Sequence, residues 1–316
     1  MSGALRVVFA GSPEVSVVSL EELSNRFAVP LVVTQPARPK GRGRRPLPTP
    51  LHARAMELGL EVMTAADINA ADSLERIRAA KPDIIVVVSF GQILKTSALK
   101  AAPLGCVNLH FSLLPRLRGA APVPWAIIRG EEETGVSIMQ MTRGMDEGPV
   151  YAQQVESIRP DDTAAALYER LSLRGARLLT QTLPKIAQGS LKAWPQDDSM
   201  ATMAPKITRA DTALKWFLSA REVDRRIRGL AGQREAYAFF EREKPLRVIF
   251  HMSAVAEGES AGAGIAARGP AGELLVGCGS GVVEVVEIQA QGRRRLCGRD
   301  FANGLHISGG ERFLNG

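Results

Sequence analysis

The chain has 316 residues, of which 45% are hydrophobic and 23% charged, and its formal net charge is +7 at pH 7. This composition is that of a globular protein rather than a disordered one, and the length is more than one core usually spans, so two domains are expected. Three cysteines (Cys106, Cys278 and Cys297) without CxxC spacing argue against a disulfide framework or a structural zinc site. The opening "MSGALRVVFAG" lacks a leader pattern and no apolar run reaches membrane-spanning length, so a cytoplasmic location is expected.

In chain order, "LRVVFAG", "VPLVVTQ" and "DIIVVVSFG" are short, β-branched and continuously apolar, the pattern of strands buried on both faces. Between them "EVSVVSLEELSN", "PLHARAMELG" and "ADSLERIRAAK" read as helices, the last with apolar positions at Leu74 and Ile77. Alternating strands and helices predict an open, mostly parallel, Rossmann-like sheet. The turn "AGSPE" falls short of a dinucleotide fingerprint. "GCVNLHFS" adds a strand, "TGVSIMQM" and "PVYAQQVESI" a following pair, and residues 163–189 a long amphipathic helix. Residues 189–206 lose periodicity and collect Gly, Ser, Asp and Pro, so they read as a linker between domains at 1–188 and 207–316. After a helical "AREVDRRIRGL", short glycine-punctuated strands predict a small C-terminal β-barrel.

The charge is concentrated. Residues 1–205 hold 23 Lys+Arg and 20 Asp+Glu, but five of those cations (Arg38, Lys40, Arg42, Arg44 and Arg45) stand in "RPKGRGRR", which has no acid. Without it that part would be 18 minus 20, or −2. Such a cluster suits a polyanionic partner, although a solvated basic loop is the plainer alternative.

Asn108 and His110 are two residues apart in a strand and so share a face, at its carboxyl end, where open α/β sheets bind ligands. A satisfied histidine at a strand end is the plainer reading. If the Gly-bounded loop "MTRGMDEGPV" folds back over that end, Asp146 accepts the Nδ1–H of His110 and leaves Nε2 free as a base. Asn108 then offers an amide N–H to an oxyanion. No G-x-S-x-G elbow accompanies them, so the trio suits carbonyl chemistry in which the substrate brings the nucleophile. Asp146, Glu147 and His110 lack a convincing further ligand for a metal.

"NLHFSLLPRLRGAAP" followed by "GVSIMQMTRGMDEGPV" resembles the signature of the folate-dependent formyltransferases. "VVFAGSPEVS", "VVTQPARPKGRGRRPLPTP" and "DFANGLHISGGERF" extend the resemblance over nearly the whole chain, most closely to the branch that acts on methionyl initiator tRNA in translation initiation. The resemblance implies a formyltransferase fold with a C-terminal OB-like barrel, 10-formyltetrahydrofolate as co-substrate, no metal, and a monomer. It implies a catalytic trio of Asn108, His110 and Asp146, with Ser112, Leu113, Leu114 and Pro115 contacting the folate and Phe90, Gly91 and Ile93 lining the pterin pocket. It also implies that Arg42 reads the acceptor end of the tRNA, with Arg38, Lys40, Arg44 and Arg45 beside it. Phe111 and Leu117 depart from the family's usual residues, and "IRGLAGQREAYAFF" lacks an Asn-Pro-Trp-Pro-like turn.

Two rivals stand beside this reading. A formyltransferase acting on an amino sugar nucleotide would use the same trio without the basic loop, and a silent RNA-binding scaffold would not need the trio. His52, His251 and His306 show no partner spacing and read as structural. Trp125, Trp194 and Trp216 read as packing residues, and Arg293, Arg294 and Arg295 as either a hairpin turn or an RNA contact.

Overall fold

A computed structural model describes residues 4–40, 45–232 and 234–316, the side chains of Arg38, Pro39, Lys40 and Arg45 excepted. Among these residues the chain forms two compact units. One comprises the chain through Pro122, Thr134–Ser157 and Tyr168–Pro205, and the other Val123–Glu133, Ile158–Leu167 and Lys206–Gly316.

The first unit is built on strands β1 (Arg6–Gly11), β2 (Ala28–Thr34), β5 (Val62–Thr64), β6 (Ile84–Val88), β7 (Cys106–His110), β8 (Glu133–Gln140) and β9 (Val150–Ser157), in the order β5-β2-β1-β6-β7-β8-β9. The pairings from β5 to β7 are parallel and β8 runs antiparallel to β7. From β1 the chain builds outward through β2 to β5, then returns to add β6 and β7 on the other side, which is the doubly wound arrangement expected. Every residue of β6 is buried, as continuous apolar runs under helices on both faces require. The helices here are α1 (Val17–Ser24), α2 (Pro50–Glu57), α3 (Ala71–Ala79), α4 (Thr96–Leu99) and, from Tyr168 onward, α6 (Ala164–Ala187). Thr49 caps α2 by accepting from the His52 amide, with Pro50 in the first turn where a missing N–H costs nothing. Strands β3 (Arg38–Lys40) and β4 (Arg45–Leu47) pair as a separate antiparallel hairpin.

Helix α6 decides which way β7 faces. A Cβ on Gly175 would lie 2.6 Å from a Leu109 methyl, so a larger residue there would require the Leu109 side chain to shift. Phe111 meets Tyr168 edge to face at 5.5 Å. Leu109 and Phe111 therefore face α6, and the strand's period of two turns Asn108 and His110 to the opposite side.

In the second unit, β10 (Ala236–Phe240), β11 (Leu246–Ala256), β12 (Ala266–Arg268), β13 (Leu274–Gly277), β14 (Val282–Ala290) and β16 (Phe313–Leu314) form an antiparallel sheet in the order β12-β13-β14-β11-β10-β16, with β15 (Leu296–Cys297) on β14. Its two edges meet. The Ala266 amide bonds the Glu311 carbonyl at 2.7 Å and the Phe313 amide the Gly264 carbonyl at 2.7 Å, which curls the sheet into a barrel. Trp216, Phe240, Phe250 and Phe313 interlock inside it at tilted and edge-to-face angles. Helix α7 (Ala220–Leu230) opens with a Ser219/Glu222 capping box. It carries the buried Arg228–Asp224 pair, completed by the Ser253 hydroxyl and the Asp162 carbonyl. Helices α5 (Pro122–Arg129) and α8 (Gly298–Gly304) complete the set. Among the described residues no helix is long and apolar enough to cross a membrane.

Burial disfavours the thiolate and pushes Cys106 and Cys278 up to about 12, whereas Cys297 is exposed. A disulfide reagent at pH 8 is therefore expected to titrate one thiol of the native chain quickly and all three in denaturant. A second fast thiol would mean that one of the two cores opens.

Candidate active site

The carboxyl ends of β6 and β7 lie side by side, with Val87 opposite Asn108. Asn108 is half-buried and His110 is 5% exposed. The loop after β7 then turns back, and three consecutive residues of it shape the site. The Leu117 carbonyl lies 2.9 Å from His110 Nε2, the Gly119 amide donates to Asp146 Oδ2 at 2.8 Å, and between them the Arg118 side chain runs to Gln196 and Asp198. Asp146 arrives from the loop between β8 and β9, and its Oδ2 stands 3.7 Å from His110 Nδ1.

This geometry brings His110 and Asp146 together but reverses the roles expected of the two ring nitrogens. A carbonyl oxygen can only accept, so Nε2 carries the proton that it donates to Leu117, and Nε2 is not the free base. Nδ1 is the nitrogen with a lone pair, and it faces the carboxylate at a separation longer than a hydrogen bond.

Among the described residues five that are not glycine have positive φ, and three of them, Ser89, Leu117 and Asp146, belong to this strand-end cluster. A left-handed leucine is strained by about 1–3 kcal/mol and persists only where its surroundings over-determine it. Here the Leu117 amide is held by Thr202 Oγ1 at 2.9 Å and the Arg118 amide by the Thr202 carbonyl at 2.8 Å.

The Ser112–Pro115 turn is fastened from beneath. Ser137, opposite His110 on β8, donates to the Ser112 carbonyl at 2.6 Å and accepts from the Leu114 amide at 3.1 Å. Gln153 on β9 bonds both Ser137 Oγ and the Leu114 carbonyl. Ser112 itself is fully buried, with its hydroxyl committed to the Arg116 carbonyl, so it builds the loop rather than facing solvent. Leu114 is buried against Met139 and Val150, while Leu113 and Pro115 are partly exposed. After β6, Phe90 is buried in the core and its carbonyl accepts from Gln35 at 2.7 Å. Gly91 takes φ +77°, and Ile93 stands 74% exposed, an apolar side chain left in water at the strand end.

Of the basic loop, Arg42 and Arg44 lie outside the described residues, as do the side chains of Arg38, Lys40 and Arg45. The backbone on either side pairs Arg38 with Leu47 and Lys40 with Arg45. A cavity of about 670 Å³ lies wholly within the second unit, and no strand-end residue lines it. Its walls balance Arg159, Arg221, Arg225 and Arg228 against Glu131, Glu132, Asp161 and Asp224, so it offers no anion site.

Sequence reasoning missed Ser137, Gln153, Gln196 and Thr202. Ser137 left a trace as the lone polar residue inside "GVSIM". Gln153 and Gln196 sit beside other polar residues where one more amide carries no signal, and Thr202 lies in the segment that reads as a linker.

Residues 6–183 match the formyl transferase family and residues 206–306 the formyl transferase C-terminal domain. Methionyl-tRNA formyltransferase of Streptomyces coelicolor is 42% identical to this chain, covering 98% of it and 99% of the relative. That of Geobacter metallireducens is 39% identical, covering 98% of both. Among solved structures, an N-formyltransferase from Helicobacter canadensis in complex with folinic acid and dTDP-3-aminofucose is similar with a TM-score of 0.66 at 19% identity, over 90% of this chain and 99% of that one. HypX from Aquifex aeolicus in complex with tetrahydrofolic acid is similar with a TM-score of 0.64 at 16% identity, over 97% of this chain and 48% of that one. At such identities the solved structures speak to the fold alone.

Replacing Ser137 by alanine leaves the buried Leu114 amide and Ser112 carbonyl without that partner. It is expected to cost about 1–3 kcal/mol of stability, read by thermal or urea unfolding. An unchanged unfolding midpoint would mean that the turn is held by its neighbours instead.

Proposed function

The chain belongs to the formyl transferase family, in its methionyl-tRNA formyltransferase branch, and from that premise we propose that it transfers the formyl group of 10-formyltetrahydrofolate to the α-amino group of methionyl initiator tRNA. The observation that carries this reading is the His110–Asp146 pair at the end of β7, with Asn108 on the same strand face, in a chain whose end-to-end likeness is to enzymes of that name.

The folate supplies a formyl carbon already activated for attack. The amino group must shed a proton as it attacks, and imidazole is the side chain suited to receiving one near neutral pH. With Nε2 held by Leu117, Nδ1 is the atom that takes it. The imidazolium then faces the Asp146 carboxylate, which the Gly119 amide keeps in place. The Asn108 amide stabilises the developing oxyanion from the same strand face, and as the tetrahedral adduct collapses the bond from the formyl carbon to N10 breaks and tetrahydrofolate leaves, its N10 taking back the proton held on His110 Nδ1. No nucleophile from the protein is needed, because the substrate amine is the nucleophile.

Around this centre, Ser112, Leu113, Leu114 and Pro115 would shape the folate's binding edge, and Phe90, Gly91 and Ile93 its pterin side, with exposed Ile93 the surface to be covered. Arg38, Lys40, Arg42, Arg44 and Arg45 would meet the tRNA. The catalytic part is assigned to 1–188 and tRNA holding to 207–316, in a monomer acting in the cytoplasm.

The test is formyl transfer to charged initiator tRNA, with elongator methionyl-tRNA and an amino sugar nucleotide as competing acceptors. Strong preference for the initiator is expected, and transfer to the sugar alone would discard the tRNA reading. Asn108→Ala is expected to lower kcat by about 10²- to 10³-fold and His110→Ala by about 10²- to 10⁴-fold, with folding intact by circular dichroism. Near wild-type turnover in either would remove the assigned chemistry. If all five loop cations meet phosphates, replacing them should make the log–log salt dependence of tRNA binding shallower by about 3.5 to 4.5. An unchanged slope would take the loop out of the interface.

A further inference from the structure

We propose that Gln196, in the stretch that reads as a linker, is a positioning residue for Asp146, and through it for the His110 base; the inference rests on the formyl-transfer reading above. Residues 194–204 are not a free tether. Trp194 bridges Val150, and Met203 bridges Arg118. The Ala204 amide bonds the Arg118 carbonyl at 2.6 Å, and the Ala204 carbonyl accepts from Ala121 at 3.1 Å. This strap lies across both loops that build the site.

Gln196 joins those two loops directly. Its Oε1 accepts from Arg118 Nε at 3.1 Å and Nη2 at 2.8 Å, and its Nε2 donates to the Asp146 carbonyl at 2.8 Å and the Gly148 carbonyl at 2.7 Å. All four bonds have unambiguous direction, since a guanidinium only donates and a carbonyl only accepts. The orientation of the amide therefore follows from its partners, and no other uncharged side chain of this length supplies two donors and an acceptor.

The residue it grips is one that needs gripping. Asp146 sits at φ +53°, in the left-handed region that aspartate enters more readily than most residues, and its backbone carbonyl is fixed there by Gln196. Gly148 already lies so close to the Gln140 carbonyl that a Cβ there would overlap it, so the loop is caught between β8 on one side and Gln196 on the other. Arg118, the other partner, stands between Leu117, which bonds His110, and Gly119, which bonds the Asp146 carboxylate. One side chain thus links the backbone behind the acid to the segment behind the base.

Gln196→Glu separates positioning from scaffolding. The variant keeps the length and strengthens the contact to Arg118, but an ionised carboxylate cannot donate and would face two carbonyl oxygens. A scaffold role predicts no loss; a positioning role predicts displacement of the Asp146 loop. The expected result is a fall in kcat of about 10- to 100-fold, the scale of a displacement of about 1 Å at a catalytic group. KM for formyl donor and tRNA is expected to stay within about twofold and the melting midpoint near wild type, because the affected groups tune the reaction step rather than binding. Gln196→Ala, which only removes bonds at a half-buried position, should lose kcat likewise and carries the comparison if the glutamate variant does not fold. Wild-type kcat in a folded Gln196→Glu, or a change confined to KM, would overturn the inference. Wild-type protein inactive on methionyl-tRNA would instead overturn the proposed function, and the same kcat comparison would then be made on the acceptor the wild type does use.

Discussion

The bond between His110 Nε2 and the Leu117 carbonyl is the constraint from which the rest of the site follows. Because the carbonyl can only accept, it sets the tautomer. The tautomer places the lone pair on Nδ1, and so a carboxylate that is to stabilise the protonated ring must come from the Nδ1 side. Asp146 does so, from a loop between two strands that lie on the outer side of β7.

Holding that arrangement requires backbone conformations that neither leucine nor aspartate prefers, and the structure offsets their strain with bonds from distant segments. Thr202 fixes the backbone of Leu117 and Arg118, Ser137 and Gln153 fix the turn over 112–115, and Gln196 fixes the backbone of Asp146 and Gly148. These supports are neutral amides and hydroxyls, which form directional bonds without placing further charge beside the imidazole. The Arg118 charge is directed to Gln196 and Asp198. Rigid placement of polar groups lowers a barrier by removing the reorganisation that solvent would otherwise demand, which is what the proposed formyl transfer would draw on.

The two units illustrate different routes to stability. In the first, continuous apolar strands are covered by helices, and a glycine at position 175 allows the close approach that aims β7. In the second, a small barrel closes on itself through backbone bonds between residues 264–266 and 311–313 and is filled largely with aromatic rings. The barrel's strands and the alternation of the first unit were both readable from pattern, because periods of two and 3.6 are local properties. Helix α5 was not, since "PVPWAIIR" carries two prolines that mask its period.

What the amino-acid sequence determined by itself was the inventory and its facing. The strand period places Asn108 and His110 on one side of β7, turn chemistry ends the strand where α/β sheets bind ligands, and five cations without an acid stand together in residues 38–45. What only the tertiary structure decided was which atoms meet. The approach of Asp146 to His110, the bond that occupies Nε2, and the incorporation of 194–204 beside them depend on contacts such as the one between Arg118 and Gln196, 78 positions apart. A backbone carbonyl is present at every residue, so no sequence signal shows which one will close on an imidazole. That is settled by the path of the chain after the strand, and the path is set by bonds to segments far away in sequence.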